Sequence, residues 1–203
     1  MCALGHRGGA ASITRGRIGF VGYVGRSGRC QNVRRAWPDW YGSTVATIGV
    51  ISDTHGLLRP EARAVLASVD RIIHAGDFDD RRTLQWLTTM GEVTAVKGNC
   101  DRGSWTDTLP DHQVITVEGI TILVVHAIES LTFDLRSPRS RGISVVISGH
   151  THQPRTEWQD GVLYFNPGSA GPPRSGKPIS MGKLHIGPDG VSGEIIILAG
   201  AAR

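Results

Sequence analysis

The residues best suited to chemistry follow short strand-like segments of the chain. Asp53 and His55 come at the end of the apolar run at residues 47–52, and Asp77 ends a second run at residues 71–77. The other ligand-type residues at strand ends are Asn99, His126, His150 and His152. Carboxylates, amide oxygens and imidazoles bind divalent transition metals. Seven of them exceed the four ligands of one tetrahedral zinc and suit two ions about 3.5–4 Å apart.

Each of these residues has a structural alternative when it is considered alone. A single histidine after a strand is more often hydrogen-bonded within the fold, and we interpret His74 and His112 in that way. An Asp-Gly or Gly-Asn pair is more often a turn. The metal hypothesis rests on five strand ends that all provide a ligand type. Because loops at the carboxyl ends of strands converge on one crevice in open α/β sheets, these residues can meet.

The elements that would position these residues follow from the apolar periodicity of the body of the chain. Short apolar runs alternate with helical patterns at residues 59–70 and 79–91, which predicts a parallel α/β sheet. In the second half, turn signals at residues 118–119 and 160–161 predict two hairpins within a mostly antiparallel set. One further helix is predicted near residues 131–140.

The charge of the chain is distributed unevenly. The 203 residues carry a net charge of +4, but residues 1–46 hold seven arginines and one acid, so the remainder is acidic at −2. Because the first 45 residues are glycine-rich and lack a sustained apolar pattern, we expect residues 1–45 to be a disordered basic extension. The alternative is upstream sequence translated from a misassigned start near Val45. Residues 46–203 would form one domain, whose acidic charge disfavours nucleic acid as a partner.

The composition is that of an ordinary globular protein, with 39% apolar and 20% charged residues. No stretch approaches the roughly 18 uninterrupted apolar residues of a membrane span, so we expect no membrane association. The three cysteines, Cys2, Cys30 and Cys100, form no CxxC pair, which indicates a reducing, cytoplasmic setting. The oligomeric state stays open, with a homo-oligomer as one alternative.

The spaced motifs resemble those of the calcineurin-like metallophosphoesterases. In the order of the family they are "DTH" at 53–55, "GD" at 76–77, "GN" at 98–99, the histidine at 126 and "GHTH" at 149–152. "NPGS" at 166–169 is typical of the small single-domain bacterial and archaeal phosphodiesterases within that family. The resemblance covers residues 46–198. It implies an α/β fold, a four-layer α/β/β/α sandwich with two mixed sheets, and a dinuclear site at the strand ends.

The resemblance also implies a role for each ligand residue. One ion would be held by Asp53, His55 and His152, a second by Asn99, His126 and His150, and Asp77 would bridge them. Mixed nitrogen and oxygen ligands suit Mn²⁺, which we favour, or Ni²⁺, Fe or Zn²⁺. A hydroxide bridging two such ions is a nucleophile at neutral pH, and the ions neutralise charge on phosphoryl oxygens. We therefore expect a hydrolase of phosphoric esters, with a small phosphodiester as the favoured substrate.

Two positions depart from the family pattern. Cys100, in "GNCD", stands where a histidine usually assists the leaving group, so the proton donor is open between Cys100, Asp101 and a water. Cysteine at this position occurs in the small phosphodiesterase branch and favours diesters or esters with good leaving groups. Ala127 replaces the glycine that usually follows the metal-binding histidine, and we expect it to constrain the backbone more than glycine would.

Two alternatives remain open: whether basic residues near the motifs bind substrate, and whether the fold serves as an enzyme or as a scaffold. Arg102 is a candidate for binding a substrate phosphate, because a guanidinium offers paired donors, or else it is a solvated loop charge. Arg174 is a weaker candidate of the same kind, and Asn166 is expected to cap a turn. The same fold serves as an interaction module in the retromer coat, so a protein-interaction scaffold is the alternative function. All seven ligand positions keep ligand chemistry here, which favours catalysis.

Overall fold

A computed structural model shows the elements that surround these residues. The described residues are 45–131, 137–174 and 176–199. The disordered extension predicted for residues 1–45 lies outside the described residues except for Val45. Half of the helix predicted near residues 131–140 falls on residues 132–136, which are also outside them, and Pro138–Arg141 form a 3₁₀ turn. No helix in the described part of the chain is long and apolar enough to cross a membrane.

The first sheet has five strands and is mixed. Its strands are β1 (Ala46–Ile51), β2 (Arg71–His74), β3 (Val93–Ala95), β9 (Ile179–Gly187) and β10 (Gly190–Ala199), in the order β10-β9-β1-β2-β3. As predicted, β1, β2 and β3 are parallel neighbours. β9 and β10 pair antiparallel with each other, and β9 also pairs antiparallel with β1. The carboxyl ends of the three parallel strands therefore share one edge of the sheet.

The second sheet also has five strands. They are β4 (His112–Val117), β5 (Ile120–Val125), β6 (Val145–Ile147), β7 (Arg155–Gln159) and β8 (Val162–Asn166), in the order β4-β5-β6-β8-β7. Both predicted hairpins are present, and Glu118 and Asp160 have the positive φ angles of type I′ turns. The predicted mostly antiparallel arrangement holds for both hairpins and for β9 with β10, but β6 lies between the hairpins and runs parallel to β5 and β8. The connection of residues 126–144 is long enough for the crossover that a parallel pair requires.

Two helices accompany the first sheet, within the ranges that the periodicity predicts. They are α1 (Pro60–Leu66) and α2 (Arg81–Met90). The side chain of Asp80 caps α2 by accepting a hydrogen bond from the Arg82 amide at 2.8 Å. Leu66 and Leu87 bury the inner faces of the helices in one apolar cluster with Ile72 of β2.

The two sheets share a buried core. Ile48 of the first sheet belongs to the same apolar cluster as Val124 and Phe165 of the second. On the other face of the second sheet, Leu131 is buried and Ile128 is partly buried in a separate cluster. The predicted α/β sandwich with two mixed sheets is thus confirmed. In the part of the chain that the structure describes, short 3₁₀ turns rather than a long helix form the layer outside the second sheet.

Candidate metal centre

The seven predicted ligand residues follow the carboxyl ends of strands from both sheets. The loops after β1 and β2 run side by side, because the amide of Asp53 donates to the Gly76 carbonyl at 3.0 Å. Further along the same two loops, the amide of His55 donates to the Asp77 carbonyl at 3.1 Å. In the second sheet, the Gly149 amide donates to the carbonyl of His126 at 2.9 Å. These backbone contacts bring the ligand loops together.

Most of the candidate ligands have an unusual backbone conformation. Positive φ angles occur at Asp53 (52°), His55 (45°), Asp77 (59°), His150 (65°) and His152 (55°). This left-handed region is sparsely populated by residues other than glycine, although Asp and His enter it more readily than most. Such conformations cost of order 1–3 kcal/mol each and cluster at functional sites. Their concentration here indicates that these loops accept a strained backbone in order to direct the side chains of the candidate ligands.

Asp53, His55 and His152 form the first group of candidate ligands, with donor atoms that lie within 4.8 Å of one another. His152 Nε2 lies 3.1 Å from Asp53 Oδ1 and 3.5 Å from His55 Nε2. The second oxygen of Asp53, Oδ2, accepts hydrogen bonds from Ser52 Oγ at 2.6 Å and from the His150 amide at 3.1 Å. Those two donors fix the carboxylate so that Oδ1 faces the histidines.

The chemistry of this group fits a cation. Asp53 is fully buried, and its Oδ1 is one of two buried side-chain atoms in the described residues without a hydrogen-bond partner; the other is His152 Nδ1. A buried polar atom without a partner costs about 1–3 kcal/mol, and more when the group is charged. A divalent ion would satisfy the carboxylate oxygen and the surrounding imidazoles together. The residues present therefore suit a bound metal.

Asn99, His126 and His150 form the second group. Asn99 Oδ1 lies 3.0 Å from His126 Nε2 and 2.9 Å from His150 Nδ1. His126 Nδ1 donates to the Ala75 carbonyl at 2.8 Å, which leaves Nε2 directed at the ligand cluster. Burial opposes the charging of His126, but its hydrogen bonds with Asp77 and with the Ala75 carbonyl outweigh this and raise its pKa.

Asp77 lies between the two groups. Its Oδ2 is 3.3 Å from His126 Nε2 and 3.9 Å from His55 Nε2, and its Oδ1 accepts a hydrogen bond from the Cys100 amide at 2.8 Å. Burial opposes ionisation of Asp77. The hydrogen bonds from His126 and Cys100 outweigh it and hold the pKa of Asp77 well below its usual range. The group is therefore a carboxylate at neutral pH.

The two candidates for proton donor have different surroundings. Cys100 is partly exposed, and burial together with the charge of Asp77 raises the pKa of its thiol to about 11. Its sulfur is therefore protonated at neutral pH. Asp101 is 1% exposed, and both its oxygens accept hydrogen bonds from backbone amides. The structure does not place Asp101 to donate a proton to a substrate, which departs from the sequence-based alternative.

Two further expectations concern the backbone around the ligands. Ala127 adopts φ −116° and ψ 123°, an extended conformation open to any residue, so the expected constraint relative to glycine is absent. Asn166 caps a turn as predicted, since its Oδ1 accepts a hydrogen bond from the Gly168 amide at 2.9 Å. Its Nδ2 also donates to the Gly149 carbonyl at 2.7 Å, which supports the loop that carries His150.

Two cavities flank the site, and Ala127 lines both. The larger, about 580 Å³, is lined by the candidate ligands Asn99 and His126 and also by Lys97, Arg102, Asp111, His112 and Ser130. The smaller, about 280 Å³, adjoins His150 and is lined further by Ile128, Glu129, Tyr164 and Asn166. Arg102 thus lies beside the second ligand group, whereas the Arg174 guanidinium lies 3.2 Å from His55 Nε2 in the first.

Sequence reasoning missed two residues that orient the ligands. Ser52 is fully buried and donates to Asp53, and Asp79 Oδ2 lies 2.9 Å from His55 Nδ1. Ser52 immediately precedes a ligand, but a serine at a strand end gives no distinctive signal. Asp79 stands in the acidic run "GDFDD", where an acid is equally explained by the start of the following helix.

The fold agrees with the comparison against protein families. The chain belongs to the calcineurin-like phosphoesterase superfamily, whose domain matches residues 47–189. Among curated proteins, a probable metallophosphoesterase of Methanocaldococcus jannaschii is 37% identical over 143 residues, which cover 63% of this chain and 69% of that protein. The predicted family is confirmed.

Solved structures show the same architecture. An archaeal phosphodiesterase superposes with a TM-score of 0.62 and 25% identity, covering 75% of this chain and 99% of that one. The vacuolar protein sorting protein Vps29 of Chaetomium thermophilum superposes with a TM-score of 0.60 at 18% identity, covering 77% and 98%. The second likeness concerns the fold alone. Family membership supports a phosphoesterase that uses divalent metal ions.

Proposed function

We propose that this protein is a phosphodiesterase that binds two divalent metal ions, one at each ligand group, with Asp77 shared between them. The observation that carries the proposal is the buried Asp53 Oδ1, which makes no hydrogen bond of normal geometry although His152 Nε2 lies 3.1 Å away, and which lies within 4.8 Å of the donor atoms of His55 and His152. The proposal assigns Asp53, His55 and His152 to one ion. Asn99, His126 and His150 hold the other.

The residues of the chain supply charge, orientation and access. When bound, divalent ions would supply an activated water as the nucleophile and neutralise charge on phosphoryl oxygens. Asp53 and Asp77 provide the negative charge that offsets the ions. The Ala75 carbonyl holds the ring of His126 so that Nε2 faces inward. Arg102 lines the larger cavity and has paired donors, and we propose that it binds a phosphoryl oxygen or a second anionic group of the substrate.

Two observations favour a diester over a monoester. The cavities on either side of Ala127 both reach the ligands of the second group, and together they offer space for two ester arms. The protonated Cys100 thiol is a weak acid, so turnover is expected to favour esters whose leaving group needs little protonation. The likeness to an archaeal phosphodiesterase supports the same choice. Mn²⁺ is the proposed ion, because the ligands combine nitrogen and oxygen without thiolate.

The proposed substrate is a small phosphodiester, and the proposed location is the cytoplasm, given three cysteines without a CxxC pair. A scaffold role is the second candidate, favoured by the likeness to Vps29 structures. The retained ligand set argues against it, since a scaffold has no need of a buried carboxylate oxygen aimed at two histidines.

The test combines metal content with hydrolysis of bis-p-nitrophenyl phosphate and p-nitrophenyl phosphate in Mn²⁺. Wild type should bind about two ions per chain and prefer the diester, and Asp77→Ala should lose both metal and turnover. Asp107→Ala, which removes an exposed acid from the turn Ser104–Thr108, is the matched control and should behave as wild type. Preference for the monoester would overturn the diesterase assignment. Absence of metal and turnover in wild type would favour the scaffold.

A further inference from the structure

A buried carboxylate joins the loops that follow β2 and β3. Asp101 Oδ1 accepts hydrogen bonds from the amides of Phe78 at 2.7 Å and Asp79 at 2.9 Å. Its Oδ2 accepts from the amides of Gly98 at 2.7 Å and Asp77 at 3.1 Å. Four backbone donors therefore converge on one side chain that is 1% exposed. Because three of them are consecutive residues of the Asp77 loop, the carboxylate determines the path of that loop.

The same loop carries the side chain that contacts His55. Asp79 has a positive φ of 59°, as Asp77 has, and its amide is one of the donors to Asp101. Its carboxylate Oδ2 lies 2.9 Å from His55 Nδ1. On the backbone, the Gly56 amide donates to the Phe78 carbonyl at 2.7 Å. Asp79 is thus held at the backbone by Asp101 while its side chain reaches the ring of His55.

The contacts of His55 determine which ring nitrogen carries the proton. The Arg174 guanidinium lies 3.2 Å from Nε2, and a guanidinium can only donate, so Nε2 must accept. In the neutral ring, Nδ1 then carries the proton and donates it to Asp79. Nε2 also lies 3.9 Å from Asp77 Oδ2 and 3.5 Å from His152 Nε2. This tautomer presents Nε2 to the ligand cluster.

We infer that Asp101 and Asp79 are positioning residues that act in series: Asp101 fixes the loop of residues 77–79, and Asp79 fixes the ring orientation of His55 and, together with Arg174, its tautomer. Neither touches a substrate. The inference deepens the proposed function, because its benefit for metal binding rests on His55 being a ligand. The orientation itself is a property of the metal-free chain and can be measured without turnover. A carboxylate that holds a metal-binding histidine typically contributes 10–100-fold to affinity.

The experiment is ¹⁵N NMR of the histidine rings in the metal-free protein, together with Mn²⁺ affinity by chelator competition. In wild type, His55 should be the Nδ1–H tautomer. In Asp79→Ala, where only the Arg174 contact still favours this tautomer, the ring should shift part of the way toward a mixture of tautomers. The Mn²⁺ affinity should fall about 10–100-fold, with part of the loss recovered in Asp79→Asn. Asp80→Ala is the matched control, since Asp80 caps α2 and does not contact His55 among the described residues.

The outcomes separate this inference from the proposed function. A tautomer and an affinity within twofold of wild type in Asp79→Ala would overturn the role of Asp79, as would an Nε2–H ring in wild type. If the tautomer responds but no ester is hydrolysed, the positioning stands and the phosphodiesterase proposal fails. The role of Asp101 is tested in the wild-type protein by hydrogen exchange: the amides of Phe78, Asp79 and Gly98 should be protected. If these amides exchanged as fast as those of solvent-exposed loops, the role of Asp101 would be refuted.

Discussion

Gly98→Ala is expected to damage the site through steric contact with Asp77. A Cβ added at Gly98 would lie 2.1 Å from Asp77 Oδ1 and 2.2 Å from the Asp77 amide nitrogen, whereas ordinary contacts begin at 3.4 Å. The two loops must therefore separate by about 1.3 Å. Rotation of the Asp77 side chain cannot relieve the clash, because one of the contacted atoms belongs to the backbone.

The size of the effect follows from this geometry. Overpacking a buried position costs about 1–3 kcal/mol, and the backbone clash places Gly98→Ala at about 2–3 kcal/mol. For a domain of this size, that lowers the midpoint of thermal unfolding by roughly 5–10 °C. Loss of a residue that hydrogen-bonds to a metal ligand typically lowers metal affinity about 10–100-fold. Because Asp77 is itself the proposed shared ligand, the Mn²⁺ affinity of Gly98→Ala should fall by at least that factor.

The assay is thermal unfolding of the metal-free protein followed by Mn²⁺ competition with a chelating dye. Gly91→Ala is the control, because a Cβ added at Gly91 meets no atom within 4 Å, and both measurements should match wild type. Wild-type stability and affinity in Gly98→Ala would show that the contact between the loops is not tight. Reduced stability with unchanged affinity would remove Asp77 from the proposed ligand set.

Three further outcomes are expected. Ser52→Ala removes the 2.6 Å hydrogen bond to Asp53 Oδ2 and should cost about 1.5–3 kcal/mol in urea unfolding, with weaker Mn²⁺ binding; an unchanged midpoint would contradict this. Chelation should lower the unfolding temperature, since a ligand at 100 times its Kd stabilises by about 2.7 kcal/mol; equal temperatures with and without Mn²⁺ would argue against binding. The raised pKa of His126 means that metal must displace a proton, so Mn²⁺ affinity should rise between pH 6 and pH 8. A flat pH profile in titration calorimetry would refute that coupling.

The same pKa shifts predict the stability of the metal-free protein. The pKa of Asp77 is lowered on folding, so its contribution is present above the ordinary carboxyl pKa of about 4 and is lost as pH falls through the folded value. The pKa of His126 is raised, so its contribution is complete below about pH 6.5 and is lost as pH rises through the folded value. Burial lowers the pKa of His74 well below its usual value, so its contribution to stability declines as pH falls below about 6.5. Urea midpoints should therefore be highest near neutral pH. A maximum above pH 8 would contradict the shift of His126.

The sequence predicted the strands and the ligand types because both leave local signals. The runs that became β1 and β2 are apolar and end in Asp53 and Asp77, and the turn pairs at Glu118 and Asp160 match hairpins directly. The pairing of β6 left no such signal. Its apolar sequence suits a central strand that runs in either direction. The crossover connection before it is the feature that makes β6 parallel to its neighbours β5 and β8.

The roles of Asp79 and Asp101, which position candidate ligands without being ligands themselves, could not be predicted for a different reason. Asp101 occupies a position that suggests proton transfer by resemblance, but its chemistry depends on which backbone amides surround it. Asp79 is one of three acids within four residues, and the contact with His55 arises from a left-handed backbone that the sequence does not show. Hydrogen bonds between loops distant in sequence are the part of a site that a single sequence conceals.

The distribution of ligands between the sheets bears on what metal binding would do to the fold. Asp53, His55, Asp77 and Asn99 follow strands of the first sheet, whereas His126, His150 and His152 follow strands of the second. Each proposed ion therefore takes ligands from both sheets and would tie their edges together beyond the apolar core. The sheets already meet at this edge through the hydrogen bond from His126 Nδ1 to the Ala75 carbonyl. Metal binding should accordingly slow hydrogen exchange in the loops of both sheets at once, and protection confined to one sheet would show that the ligands of the other are not engaged.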